Sequence, residues 1–162
     1  MATRLTDLEI QKFLGERKDL PPDYLQRLRT KPKSGHEERE LDVQGISGSD
    51  FRVILRKSMY NSFDFSVIVA YCVPGTTQVF RLRRYNGKSH EHTNAIEGET
   101  FYAFHIHTAT ERYQDLGMRE DSFAEPTDRF SNFEEAVDCL FDDANFKAPE
   151  RPQGKLFLKG VI

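Results

Sequence analysis

The chain has 162 residues, with 13 Phe, 6 Tyr, no Trp and a formal net charge of −3. That length can bury a core without disulfides or a structural metal. An apolar fraction of 38% with no long apolar run excludes a helical membrane span, and so small a net charge argues neither for nor against a nucleic-acid partner. Cys72 and Cys139 lack metal-site spacing and are expected as reduced core residues of a cytoplasmic protein. No signal peptide or lipidation motif is seen. A single domain over 1–162 is expected, with a helical segment at 1–30, a sheet and closing helix at 37–146, and a tail at 147–162.

The first element is a predicted helix. Thr6 and Glu9 have the spacing of a capping box, and Leu5 and Ile10 that of a hydrophobic staple. Leu8, Phe13 and Leu14 continue an apolar stripe to about Lys18. Pro21-Pro22 stops it, and Asp23 to Arg29 predicts a short second helix with Tyr24, Leu25 and Leu28 inward. Thr30 to Gly35 reads as a linker.

From there the period becomes two. Arg39 to Gln44 predicts a strand and Gly45 to Asp50 a loop. Phe51 to Arg56 predicts a second strand, with Phe51, Val53 and Leu55 on one face and Arg52 and Arg56 on the other. Phe63 to Cys72 places Phe63, Phe65, Val67, Val69 and Tyr71 together. After a Pro74-Gly75 turn, Val79 to Tyr85 sets Phe80 and Leu82 against Arg81 and Arg83. Asn86-Gly87 is a dipeptide of tight hairpins. Phe101 to His107 separates Tyr102, Phe104 and Ile106 from Ala103, His105 and His107. Near the end, Ser131 and Glu134 suggest a second capping box. Phe133, Ala136, Val137, Leu140, Phe141 and Ala144 then recur at helical spacing. Lys155 to Leu158 is expected as an edge strand or a partner-binding strand. The fold class is therefore α+β: a mainly antiparallel sheet of about five strands, with N-terminal and C-terminal helices on its apolar face.

Two features point to chemistry. From Phe51 to His90, Arg52, Arg56, Lys57, Arg81, Arg83, Arg84 and Lys88 face a single acid, Asp64; from Glu111 to Glu150 there are about three acids for each base. Four of five histidines also fall within eighteen residues, as His90-Glu91-His92 and His105-Ile106-His107. Strand alternation puts His105 and His107 opposite Tyr102, Phe104 and Ile106. If neighbouring strands align, Arg81 and Arg83 share that face, which is expected to be exposed or to line a cleft.

Such a face suits a phosphodiester. Arginine forks match phosphate oxygens, and two histidines titrating near neutrality serve as base and acid for attack by a ribose 2′-hydroxyl without a metal. Glu111 is then an alternate base, Arg112 a stabiliser of phosphorane charge and Tyr113 a stacking or hydrogen-bonding group. The same histidines also suit a metal. His105 and His107 project in parallel, His90 or His92 would add a third ligand, and Glu97, Glu99 or Glu111 a carboxylate. The plainest alternative makes the histidines surface residues, with Thr110 or Glu111 capping backbone groups and Asp128 and Arg129 forming an ordinary ion pair.

The run from Phe80 to Asn145 joins a His92-x-Asn94 loop, a His105-x-His107 strand and a closing helix. It resembles an uncharacterised prokaryotic domain family with that order of motifs and is more distantly similar to TumE-type toxins of toxin–antitoxin pairs. The resemblance, carried by His92, Asn94, His105 and His107, implies a toxin-like or defence-related RNA-acting protein; together with the residue chemistry, a metal-independent endoribonuclease without cofactor is expected. His105, His107, Glu111 and Arg112 are its expected catalytic residues; Arg81, Arg83, His92, Asn94 and Tyr113 its substrate contacts. RNA, an antitoxin-like protein and a second copy of the chain are the expected partners, with no membrane. The alternatives are a non-catalytic protein- or nucleic-acid-binding regulatory module and, third, a metal-dependent hydrolase.

Overall fold

The computed structural model describes residues 3–29 and 31–149, and the backbone alone for residues 31–33. The expected strand at Lys155 to Leu158 lies outside the described residues. In chain order the elements are α1 (Asp7–Gly15), β1 (Lys18–Asp19), α2 (Tyr24–Arg27), β2 (Lys31–Lys33), β3 (His36–Gln44), β4 (Asp50–Ser58) and β5 (Phe65–Cys72). There follow β6 (Val79–Asn86), β7 (His92–Thr93), β8 (Thr100–Phe101), β9 (His105–Thr108), α3 (Glu111–Asp115), β10 (Phe123–Pro126), α4 (Phe133–Asp143) and β11 (Phe146–Lys147).

The class is α+β, as expected. The main sheet is wider than foreseen, with seven strands in the order β10-β9-β6-β5-β4-β3-β2, all neighbours antiparallel. One extra strand comes from the stretch read as a linker. Ser34 and Gly35 adopt φ 49° and 87°, the two successive left-handed residues of a tight hairpin turn, and they fold β2 back on β3. Phe51, Val53, Leu55, Val67 and Val69 are fully buried, as the period of two requires. Strand β5 begins at Phe65, so Phe63 stays half-exposed in the preceding loop.

Helix α4 packs across β5 and β6, burying Phe133, Ala136, Val137, Leu140 and Phe141. Its cap sits one residue later than expected. Asn132 accepts from the Glu135 backbone at 2.9 Å, and the Ser131 backbone donates back to the Glu135 carboxylate. In α1 the predicted capping box is present. Ile10 and Leu14 are buried, whereas Leu8 is 81% exposed: it falls on the opposite side of the helix.

Where the chain meets its own far end, β1 pairs in parallel with β11. Lys18, fully buried there, donates to the carbonyls of Phe13, Leu14, Glu16 and Ala144 at 2.6–3.2 Å. It thereby caps the C-terminal ends of both α1 and α4, where a cation is favoured by the helix dipoles. Burial lowers its pKa to about 8.

One irregularity decides which side chains meet. Between β5 and β6, Arg81 pairs with Ala70 and Arg83 with Val69, leaving Leu82 unpaired as a bulge. An extra residue shifts every later side chain to the other face. Arg83 therefore sits with Tyr85 on the α4 side, where both reach Asp143. Arg84, rather than Arg83, lies directly across from His107. The expectation that Arg81 and Arg83 share the histidine face is thus corrected to Arg81 and Arg84. A second correction concerns Asn86-Gly87, which makes no tight hairpin. Gly87 continues the ladder by donating to Phe65, and a Cβ there would sit 2.0 Å from the Phe63 carbonyl oxygen.

Candidate metal centre

The β9 strand brings His105 and His107 to the sheet face opposite Ile106, as alternation predicts. The two rings themselves are neither exposed nor in an open cleft: His105 is 1% and His107 3% exposed. The cover includes the short β7–β8 hairpin, whose residue Phe101 packs its ring against His92 and His105 at 5.4 and 5.5 Å.

This hairpin delivers the third imidazole. His92 lies 5.5 Å from His105 and 4.8 Å from His107 between ring centres, and His105 and His107 are 4.9 Å apart. One nitrogen from each ring falls within 4.8 Å of the others. A tetrahedral zinc ion wants neighbouring nitrogens about 3.3 Å apart, so the three rings are grouped but up to about 1.5 Å wider than a bound ion would hold them.

Each ring is also held by its remote nitrogen. His105 Nδ1 lies 2.7 Å from the Ala103 carbonyl, and His107 Nδ1 2.7 Å from that of Asp121. A carbonyl only accepts, so both Nδ1 atoms carry the proton and both Nε2 atoms present a lone pair. His105 Nε2 is buried without a hydrogen-bond partner. His92 Nε2 lies 2.8 Å from Asn94 Oδ1. The orientation of that amide is set by two backbone bonds, Nδ2 to the Ala124 carbonyl at 2.7 Å and Oδ1 from the Ala124 N–H at 2.9 Å. His92 is therefore protonated on Nε2 and offers Nδ1. Orienting bonds of this kind typically surround metal-binding histidines.

Burial depresses the pKa of His105 to about 4 and that of His107 to about 2, with the nearby Arg84 charge the next cause for His107. Both are neutral imidazoles near pH 7. That state suits a ligand and removes the near-neutral titration that a base-and-acid pair needs.

No family model, curated protein or solved structure matches the chain. The other expected site residues find their partners elsewhere. Glu111 caps α1, accepting from the Asp7 backbone at 2.7 Å, while the Glu111 backbone N–H donates to the Asp7 carboxylate at 2.9 Å. Arg112 and Tyr113 both grip Glu97, at 2.7 and 2.6 Å, which fastens the loop after Asn94. Thr110 caps α3, as one alternative foresaw. Arg129 pairs with Asp143 rather than Asp128, through two contacts of 2.8 Å. His90 is exposed and touches Ser89.

Residues absent from the sequence-based site complete this face. The Asp121 side chain is fully buried, with Arg84 Nε at 3.2 Å and Arg81 Nε and Arg119 Nε at 3.5 Å. Its backbone is the acceptor that orients His107. The pair Arg83-Arg84 was the available hint, since one of two adjacent arginines must fall on the histidine face. Nothing in the local pattern around Arg119-Glu120-Asp121 distinguishes it from solvated surface.

Proposed function

We propose that the chain is a metal-dependent hydrolase whose centre is His92, His105 and His107. The observation that carries this is the convergence of three imidazoles, one nitrogen of each within 4.8 Å of the others, with every ring held by a hydrogen bond to a carbonyl or amide oxygen. Neutral imidazoles suit zinc, copper, iron and nickel, and three of them with an open position make a catalytic zinc arrangement. Three protein ligands leave one position for water, and the ion makes that water a nucleophile near neutral pH. Asn94 and the carbonyls of Ala103 and Asp121 orient the rings. Phe101 shields two of them from bulk water, which strengthens the electrostatics of the site.

Metal chemistry takes the place of the metal-independent cleavage that the sequence suggested, because His105 and His107 are held neutral. A cytoplasmic location accompanies the proposal, supported by the two free thiols, Cys72 and Cys139. Titration of the metal-free full chain with Co2+, followed by visible absorption, tests it. One equivalent with the intense bands of a tetrahedral site is expected, and His92→Ala should weaken binding at least a hundredfold while circular dichroism stays unchanged. Equal Co2+ affinity in wild type and His92→Ala would overturn it.

A further inference from the structure

Asp121 sits among three guanidinium groups, and in each case the nearest nitrogen is Nε. The terminal Nη groups of Arg81, Arg84 and Arg119 donate to no described residue. Glu120 adds one further carboxylate, 3.7 Å from Arg81 Nε. Three positive charges against two negative ones leave the cluster cationic. Neither Asp121 oxygen makes a hydrogen bond, and the Nε atoms of Arg81 and Arg84 are likewise unsatisfied. The cluster therefore holds three side chains in place without consuming their forked donors. Planar guanidinium groups with free amino ends recognise tetrahedral oxyanions.

The cluster also lies beside the histidines. Arg84 pairs across the ladder with His107, and Asp121 itself orients that ring. We propose that Arg81, Arg84 and Arg119 bind a phosphate group next to the three-histidine centre, making a phosphate ester the substrate class. This assignment of substrate rests on the metal-centre reading; the phosphate site itself does not. It differs from the sequence-based expectation by replacing Arg83 with Arg84 and adding Arg119.

The test is inorganic phosphate binding to the full chain by isothermal titration calorimetry, with and without bound Zn2+. Arg119 is 56% exposed at its side chain, so Arg119→Gln leaves the fold intact; Arg84→Lys keeps the charge but loses the fork. Each is expected to weaken phosphate binding at least tenfold with metal content unchanged. Wild-type phosphate affinity in both variants, or no binding by wild type at millimolar phosphate, would overturn the proposal. The His92→Ala chain separates the two readings. Phosphate affinity that survives loss of the metal but falls in Arg119→Gln supports the arginine site even if the metal reading fails. Competition by phenyl phosphate or by diphenyl phosphate identifies a monoester or a diester as the ligand, and competition by neither contradicts an ester substrate.

Discussion

The two faces of the central sheet each set an aspartate among arginines, Asp121 fully buried and Asp143 partly buried, and the two carboxylates are satisfied to opposite degrees. On the α4 face, Asp143 accepts from Tyr85 at 2.6 Å, from Arg129 twice at 2.8 Å and from Arg83 at 3.3 Å. On the histidine face, Asp121 has three guanidinium groups within 3.2–3.5 Å and no hydrogen bond. Adjacent residues, Arg83 and Arg84, supply one arginine to each. Native proteins satisfy nearly all buried polar groups, so the orphaned Asp121 oxygens call for an explanation, while the Asp143 carboxylate is a satisfied fastener even though the Arg83 Nε beside it has no partner. The same contrast separates Lys18, with four carbonyl acceptors, from His105, whose Nε2 has none.

The largest effect that tests this contrast is on stability. Asp143→Ala removes the shared acceptor of Tyr85, Arg83 and Arg129 and is expected to cost about 1.5–3 kcal/mol in urea unfolding, with metal and phosphate binding retained in the folded fraction. An effect below about 1 kcal/mol would remove Asp143 from the role of fastener.

Lys18 comes next, as a satisfied but desolvated charge. Its pKa is lowered by burial to about 8 from an ordinary 10.5, so between those values the unfolded chain holds more protons than the folded one. Stability therefore rises with pH across that window and is level below about pH 8, where both states hold the proton. Urea midpoints at pH 7.5 and 9.5 should differ by about 2 kcal/mol in favour of the higher pH. A Lys18→Met chain should lose that difference.

Smaller effects distinguish the faces directly. Asn94→Ala removes the acceptor that fixes His92 and should weaken Co2+ binding by about 10- to 100-fold. Arg83→Gln is expected to cost about 1 kcal/mol of stability and to leave phosphate affinity unchanged. Equal phosphate losses in Arg83→Gln and Arg119→Gln would mean that the bulge at Leu82 does not divide the arginines between the faces.

Much of the scaffold was legible from pattern alone. The period of two placed Phe51, Val53, Leu55, Val67 and Val69 in the core, and the helical spacing from Phe133 to Ala144 located α4. The His105–His107 strand followed from the same alternation. What alternation could not reveal was its own interruption. Leu82 is an ordinary strand residue, and no Gly or Pro marks the bulge that exchanges Arg83 for Arg84. The choice between His90 and His92 was hidden for another reason. It depends on the Asn94 amide docking on the Ala124 backbone, 30 residues away. Capping by Glu111 was among the alternatives, but the backbone it caps could not be named, because Asp7 lies on α1 at the other end of the sequence.

The most direct test is the Co2+ titration of the metal-free full chain against its His107→Gln variant. His107 is the ring held by Asp121 and faced by Arg84, so it joins the two halves of the site. One tightly bound ion per wild-type chain, with tetrahedral absorption bands lost in the variant, is the expected result. A folded wild-type chain that binds no Co2+ below millimolar concentration would contradict it.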